Sequence, residues 1–313
     1  MKSLITGAAG FVGSHLAEKL LELGHDVTGM DKFLDNYPQS YKEGNLGTLR
    51  GAARFTFIEG DILSLDLDSL LDGVDYLFHL SGQPGVRASW GKEFGRYTEN
   101  NITATQMLLE AAKGKALKKF VYASTSSVYG DTMDLPMRED GLTRPVSPYG
   151  VSKLAAEHLC YLYSKAYEVP TVALRFFTVY GPRQRPDMFF HIFMRGLMRD
   201  EEIPLYDDGE QTRDFTFVSD IIDGVVRAAG SAGQGEVYNL GGGSQTSLLN
   251  AIALAEGIAG RRARLKRFNR QKGDVRHTSA SLAAARSKLN YEPRVHLQEG
   301  LARQWAWIQS LGY

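Results

Sequence analysis

Two rhythms of apolar and polar residues alternate along the chain. Six short apolar runs, "KSLIT" (2–6), "DVTGM" (26–30), "RFTFI" (54–58), "VDYLFHL" (74–80), "KKFVYAS" (118–124) and "PTVALRFF" (170–177), predict strands buried on both faces. Between them, "FVGSHLAEKLLELG" and "NITATQMLLEAAKG" repeat apolar residues at three- and four-residue spacing and close on glycine, which predicts amphipathic helices. Strand–helix alternation of this kind predicts a doubly wound parallel α/β sheet with ligands at the carboxyl ends of its strands. Past about residue 180 the rhythm loosens. Helices are expected at 189–199, 247–259 and 297–310, with short strands near 204–206, 214–217 and 236–239. The pattern divides the chain into a first domain over 1–178, to which 214–240 returns, and a smaller interleaved α/β lobe from 179–213 and 241–313.

Composition narrows the function classes. Thirty-six basic residues balance thirty-six acidic ones among 313, which gives no support for nucleic acid or an anionic membrane as a partner. No apolar run approaches the roughly 20 residues that span a bilayer. The opening "MKSLITGAAG" enters a strand-and-turn pattern at once, so no signal peptide is expected. Cys160 has no cysteine partner and is expected to be a small packing residue, in keeping with a reducing cytoplasm. The seven histidines show no metal-ligand spacing, and no metal is expected.

"ITGAAGFVGSH" sets Gly7, Gly10 and Gly13 between a strand and a helix that begins at Phe11 and Val12. Glycine there permits a tight turn, close approach of backbone to a pyrophosphate, and close helix–strand packing, the pattern of a Rossmann-type dinucleotide site. Asp31 ends the second strand, where a carboxylate can accept from a ribose diol and repel a 2′-phosphate, so NAD is expected. Neighbouring Lys32 is the one cation that would favour a phosphate there. Asp61 and Ile62 end the third strand, and Leu80, Ser81 and Gln83 the fourth, on the same rim.

Tyr149 and Lys153 lie four apart in "SPYGVSKLAAEHLCYLY" and share a helical face. An ammonium beside a phenol favours phenolate, which predicts a tyrosine pKa lowered from about 10. Such a tyrosine is a general base for a sugar or alcohol hydroxyl while a nicotinamide takes the hydride. Thr125, in the polar strand end "STSSVYG", can hydrogen-bond the same oxygen.

Through "GAAGFVGSH", "FHLSGQPGV", "NNITATQMLLEAA", "ASTSSVYG", "SPYGVSK", "RFFTVYGP", "TRDFTFVSD" and "NLGGG", nearly the whole chain resembles the extended short-chain dehydrogenase/reductase family. Within that family it is similar to the nucleotide-sugar epimerases and dehydratases. The resemblance implies tightly held NAD, a catalytic set of Thr125, Tyr149 and Lys153, and a nucleoside-diphosphate sugar between the lobes. It places Asn101 and Phe176 in the NAD pocket beside Tyr149 and Lys153. It places Arg213 at the diphosphate and Tyr206 and Asp274 near the nucleoside, with Gln211, Ser126 and Ser127 among the substrate contacts. Gln271 stands where many relatives carry an arginine near the diphosphate, with Lys272 or Arg276 as substitutes. Ser81 and Gly82 stand where alanines are usual. The apolar faces of the 101–113 and 150–167 helices exceed what one core needs. In relatives such helices pair across a four-helix interface, which implies a homodimer.

Family 4,6-dehydratases carry an Asp-Glu pair after the threonine, and family decarboxylases a glutamate before the Val-Tyr-Gly. Ser126 and Ser127 stand here, and serine cannot replace a carboxylate in proton transfer near neutrality. Epimerisation remains: oxidation at C4, rotation of the ketose, and return of the hydride. "RFFTVYGPRQRPDM" (175–188) and "PGVRASW" (84–90) look like the UDP-glucuronate 4-epimerases, whereas UDP-galactose-type epimerases usually carry asparagine at Thr178. A guanidinium is a planar fork matched to a carboxylate. Arg185 and Thr178 are therefore expected at a C6 carboxylate, with Arg87 nearer the diphosphate. The plainer alternative is a surface pair between Arg185 and Asp187, worth under about 1 kcal/mol. Competing functions are a UDP-glucose or UDP-N-acetylglucosamine 4-epimerase, in which the loop arginines only close the lid, and a non-catalytic NAD-binding protein.

Overall fold

A computed structural model describes the whole chain, Met1–Tyr313. Its strands are β1 (Lys2–Thr6), β2 (Asp26–Asp31), β3 (Phe55–Glu59), β4 (Tyr76–His79), β5 (Lys119–Thr125), β6 (Thr171–Phe176), β7 (Thr178–Tyr180), β8 (Glu202–Tyr206), β9 (Thr212–Phe217), β10 (Glu236–Leu240), β11 (Gln245–Ser247) and β12 (Arg264–Phe268). Seven of them form one parallel sheet in the order β10-β6-β5-β4-β1-β2-β3. The order reverses at β1, next to β4, and the crevice there opens at the carboxyl ends where ligands bind in such sheets.

The apolar runs lack a polar face because both faces of this sheet are covered. Ile5, Val27, Phe78, Val121 and Leu174 join a larger core with Leu16, Ala17 and Leu20 of helix Phe11–Glu22 and Ile221 and Val225 of helix Val218–Ser231. The alternate residues Leu4, Met30, Leu77, Phe120 and Ala173 join a second core with Leu108 and Leu109 of helix Ala104–Ala112 and Ala156 and Cys160 of helix Pro148–Tyr167. Cys160 is fully buried there, and burial pushes its thiol up. His79 is buried between the Thr6 and Thr105 hydroxyls at 2.8 and 2.9 Å, and burial holds it down to about 3, so it is a neutral core group.

The smaller lobe is built on an antiparallel and parallel trio, β11-β9-β7, and a β12-β8 pair. Two boundaries differ from the sequence-based division. Thr178 already belongs to β7 of the small sheet, and residues 214–217 lie in β9 beside it, so the chain re-enters the large sheet only with helix Val218–Ser231 and β10. A single residue, Phe177, separates β6 in one sheet from β7 in the other. It is 1% exposed and its N–H donates to the Leu240 carbonyl at 3.0 Å.

Behind the carboxyl ends of β5 and β6 lies a buried ion pair. Arg175 grips both oxygens of Glu157, at 3.1 and 2.6 Å, with Ser124 donating to the same carboxylate and Arg175 reaching the Tyr129 hydroxyl at 2.8 Å. Removing one charge of such a pair leaves the other buried and unpaired. Glu157→Gln is therefore expected to cost about 3–5 kcal/mol of unfolding free energy in a denaturant titration. A loss below about 1 kcal/mol would mean that water reaches Arg175.

Candidate active site

The first site is a groove over the β1 carboxyl end. Gly7 has φ +77°, and a Cβ on it would lie 2.9 Å from the Ser81 backbone; a Cβ on Gly13 would collide with the Gly7 carbonyl oxygen. Gly10 caps the first helix with no side-chain hydrogen bond, and no acid sits in the first turn. The positive end of that helix is thus open to an anion. Gly7, Gly10, Phe11, Val12 and Gly13 line the groove there, followed by Asp31 and Lys32, Asp61 and Ile62, and Leu80 and Ser81. The Asp31 carboxylate is pushed up by burial, although it accepts from the Phe33 N–H at 2.8 Å. Lys32 is drawn off to Asp61 at 2.9 Å, which removes the cation that could have welcomed a 2′-phosphate.

Five expected groove residues are absent from its lining: Tyr149 and Lys153, described below, and Gln83, Asn101 and Phe176. Asn101 and Gln83 bond to each other: the Gln83 N–H donates to Asn101 Oδ1 at 2.7 Å, and Asn101 Nδ2 donates to the Gln83 carbonyl at 3.1 Å and to Ser152 at 2.9 Å. Asn101 thus ties the loop after β4 to the helix of Tyr149, and its neighbour Asn100 lines the groove instead. Phe176 ends β6 in register with Thr125 and is half-buried outside the groove. The sequence reading missed Asn36, Tyr37 and Lys42, because the stretch after β2 has no strand or helix rhythm to place them. Asn36 Oδ1 is buried without a partner, so this wall offers an acceptor to a ligand donor.

Tyr149 and Lys153 start the long helix, whose cap is the Ser147 hydroxyl accepting from the Gly150 N–H at 3.1 Å, with Pro148 in the first turn. Their electrostatics differ from expectation. Burial pushes the Tyr149 phenol up, opposed by the Thr125 hydroxyl and by the Arg185 guanidinium. Lys153 does not lower it. Its ammonium lies 4.3 Å over the Tyr122 ring, and burial brings its pKa down to about 7, with Cys160 and Glu157 acting the other way. A spacing of four places two residues on one face without making their charged ends meet. The cation that favours the phenolate comes from the 182–188 loop.

The second site is a cleft between the lobes. Arg87, Thr178, Arg185, Tyr206, Gln211, Arg213 and Asp274 line it, as the sequence reading expected, whereas Thr125 and Tyr149 line neither it nor the recess beside it. Thr178, Arg213 and Asp274 also line an adjoining recess with Ser126 and Ser127. Arg87 stacks 3.9 Å over the Tyr206 ring and forks onto Asp274 at 3.3 and 2.7 Å. Arg213 is held by the carbonyls of Thr212, Val275 and Arg276, and burial lowers its pKa. Gln211 donates to the Tyr206 carbonyl at 3.0 Å while its Oε1 is buried without a partner. Neither proposed substitute for a second diphosphate arginine reaches the cleft: Arg276 is committed to Asp207 and Asp208, and Lys272 lines neither cavity. Arg87 and Arg213 are the guanidinium groups on that wall. Arg185 forks onto Asp187 at 3.0 Å through Nε and Nη2, and it alone of the predicted residues lines both the groove and the cleft. No cluster of His, Cys, Asp or Glu is arranged to hold a metal, and no helix is long and apolar enough to cross a membrane.

Comparison with known proteins follows the same outline. Residues 3–241 match the NAD dependent epimerase/dehydratase family. A Bacillus cereus UDP-glucuronic acid 4-epimerase, solved with UDP-glucuronic acid and NAD, superposes with a TM-score of 0.97 at 46% identity, over 99% of this chain and all of that one. A UDP-glucuronate 4-epimerase of Thermodesulfobacterium geofontis is 37% identical over 97% of this chain and 95% of its own. An uncharacterized UDP-glucose epimerase of Bacillus subtilis is 45% identical over 99% of both. With its glycine turn, its Tyr149–Lys153 helix and its two-lobed cleft, the chain belongs to the NAD-dependent epimerase/dehydratase family.

Proposed function

We propose that the chain is a UDP-glucuronate 4-epimerase, interconverting UDP-glucuronate and UDP-galacturonate with bound NAD. The observation that carries this reading is the position of Arg185, which lines the cofactor groove and the sugar cleft together and shares that cleft with Thr178. A guanidinium at that junction matches a carboxylate on the hexose carbon next to the reacting ring. Its fork onto Asp187 is the surface pair weighed against this role. That fork also holds the cation half-buried, where a sugar carboxylate could take the place of Asp187.

Tyr149 would take the proton from the C4 hydroxyl, with Thr125 donating a hydrogen bond to the phenolate and Lys153 on the next turn of the same face. The hydride acceptor and donor for C4 would be the nicotinamide of NAD held in the groove. Ser126 and Ser127 line the recess but cannot run an elimination, so the ketose is left to turn and be reduced. Arg87 and Arg213 would meet the diphosphate, and Tyr206, Gln211 and Asp274 the nucleoside end. The groove supports NAD: an uncapped helix end suits a pyrophosphate, and the buried Asp31 carboxylate suits a ribose diol. NMR of UDP-glucuronate with purified protein and NAD is expected to show the axial 4-hydroxyl product. Turnover of UDP-glucose with no turnover of the uronate would give the enzyme to the neutral-sugar reading that the Bacillus subtilis relative's name suggests.

A homodimer belongs to the same reading. Val151 and Leu162, on one face of the long helix, are 46% and 53% exposed, too apolar for a solvent face. Light scattering is expected to give twice the chain mass, and Leu162→Glu to give monomer.

A further inference from the structure

The loop that carries Arg185 is anchored more heavily than its own length requires. Arg183 takes a left-handed conformation, φ 65°, and pairs with Glu18 of the first helix at 2.6 Å, while His15 Nε2–H donates to the Pro182 carbonyl at 3.0 Å. Next to it Gln184 is 2% exposed and uses every polar atom it has. Its N–H donates to the Gly181 carbonyl at 3.2 Å, and Nε2 to the Val179 carbonyl at 3.1 Å. Oε1 accepts from the His191 N–H at 3.1 Å and from Gln304 Nε2 at 2.7 Å. The Gln184 carbonyl accepts from His191 Nδ1–H at 2.7 Å. Gln304, fully buried on helix Leu297–Ser310, closes the ring by accepting from the Gly181 N–H at 3.0 Å.

This ring of two carboxamides and a histidine is buried, with His191 edge-on to Tyr41, Trp307 and Tyr313, where apolar side chains would pack as well. Buried amides gain little net stability over such packing, but they fix direction, because each hydrogen bond fails if the loop shifts. The next residue along the chain is Arg185. We infer that Gln304, acting through Gln184 and His191, is a positioning residue that holds the Arg185 guanidinium at the sugar carboxylate and so sets the preference for an acidic over a neutral sugar. The inference rests on the proposed uronate function. Loosening the ring would leave the Arg185 guanidinium, which already forks onto Asp187, free to drift with its loop away from the sugar carboxylate, while the diphosphate wall at Arg87 and Arg213 stays intact.

The test compares Kd for UDP-glucuronate and for UDP, by calorimetry on the NAD-loaded enzyme, in the wild type, Gln304→Met, His191→Phe and Arg185→Ala. Gln304→Met and His191→Phe are each expected to weaken UDP-glucuronate about tenfold and to leave UDP within about twofold. Should Gln304→Met not fold, His191→Phe decides, since it keeps the ring packing against Tyr41 and Trp307. Equal weakening of both ligands, or a lower Tm with neither affinity changed, overturns the inference. Arg185→Ala separates the two readings. If it too keeps the full gain of UDP-glucuronate over UDP, the carboxylate assignment fails and the inference with it. If it loses that gain while the ring variants keep theirs, only the positioning role is lost.

Discussion

Arg185→Ala is expected to lose epimerase turnover on the order of 10²-fold and to begin releasing CO2. Oxidation of UDP-glucuronate at C4 gives a β-keto acid. When its C5–C6 bond aligns with the carbonyl, that bond breaks, CO2 leaves, and its electron pair becomes an enolate that takes a proton at C5. A carboxylate held by a guanidinium on one side and the Thr178 hydroxyl on the other is kept charged and out of that alignment. The variant should therefore yield a 4-keto-pentose nucleotide, detected by mass spectrometry, with reduced nicotinamide left behind. Normal epimerisation by Arg185→Ala, with no CO2, would end the carboxylate assignment.

Tyr149→Phe is expected to lower kcat by about 10³–10⁴-fold, the upper range for a positioned acid–base group, with little change in affinity for UDP-glucuronate. The sign of the pH dependence follows from the same residue. Burial holds the phenol above its usual value, and both the Thr125 hydroxyl and Arg185 pull it back down. With Tyr149 as the proposed base, phenolate would be the active form, so the rate is expected to rise with pH, and removing a group that favours phenolate to move that rise to higher pH. Thr125→Ala should shift the pH–kcat profile upward without abolishing it. A profile that moves to lower pH, or a fully active Tyr149→Phe, would assign the base elsewhere.

The sequence showed the large sheet nearly residue by residue. β1 coincides with the run at 2–6, and the other predicted strands differ by one or two positions at their ends, because doubly covered parallel strands leave a continuous apolar trace. Helices Phe189–Arg199 and Leu297–Ser310 were also legible from their spacing. β12, "RLKRF", was not. All five of its residues are exposed at the edge of a two-stranded pair, so its basic alternation resembles a solvated loop. The same limit applied to the site. Glycines, strand-end acids and the cleft residues stand at motif positions, and the structure gathers them. Tyr37 and Lys42 come from a stretch with no periodic signal. The orientation of Lys153 toward Tyr122, and the electrostatic reach of Arg185 to Tyr149, depend on long-range packing that spacing along one helix cannot encode.

Phe177 has a consequence for how the two lobes work together. One clamped residue is all the slack between their sheets on that side, so hinge bending has little room there. A catalyst that must let its ketone intermediate swivel gains from walls that stay put while the sugar turns. On this side the enzyme is built as a vice already set to width, with the guest supplying the motion.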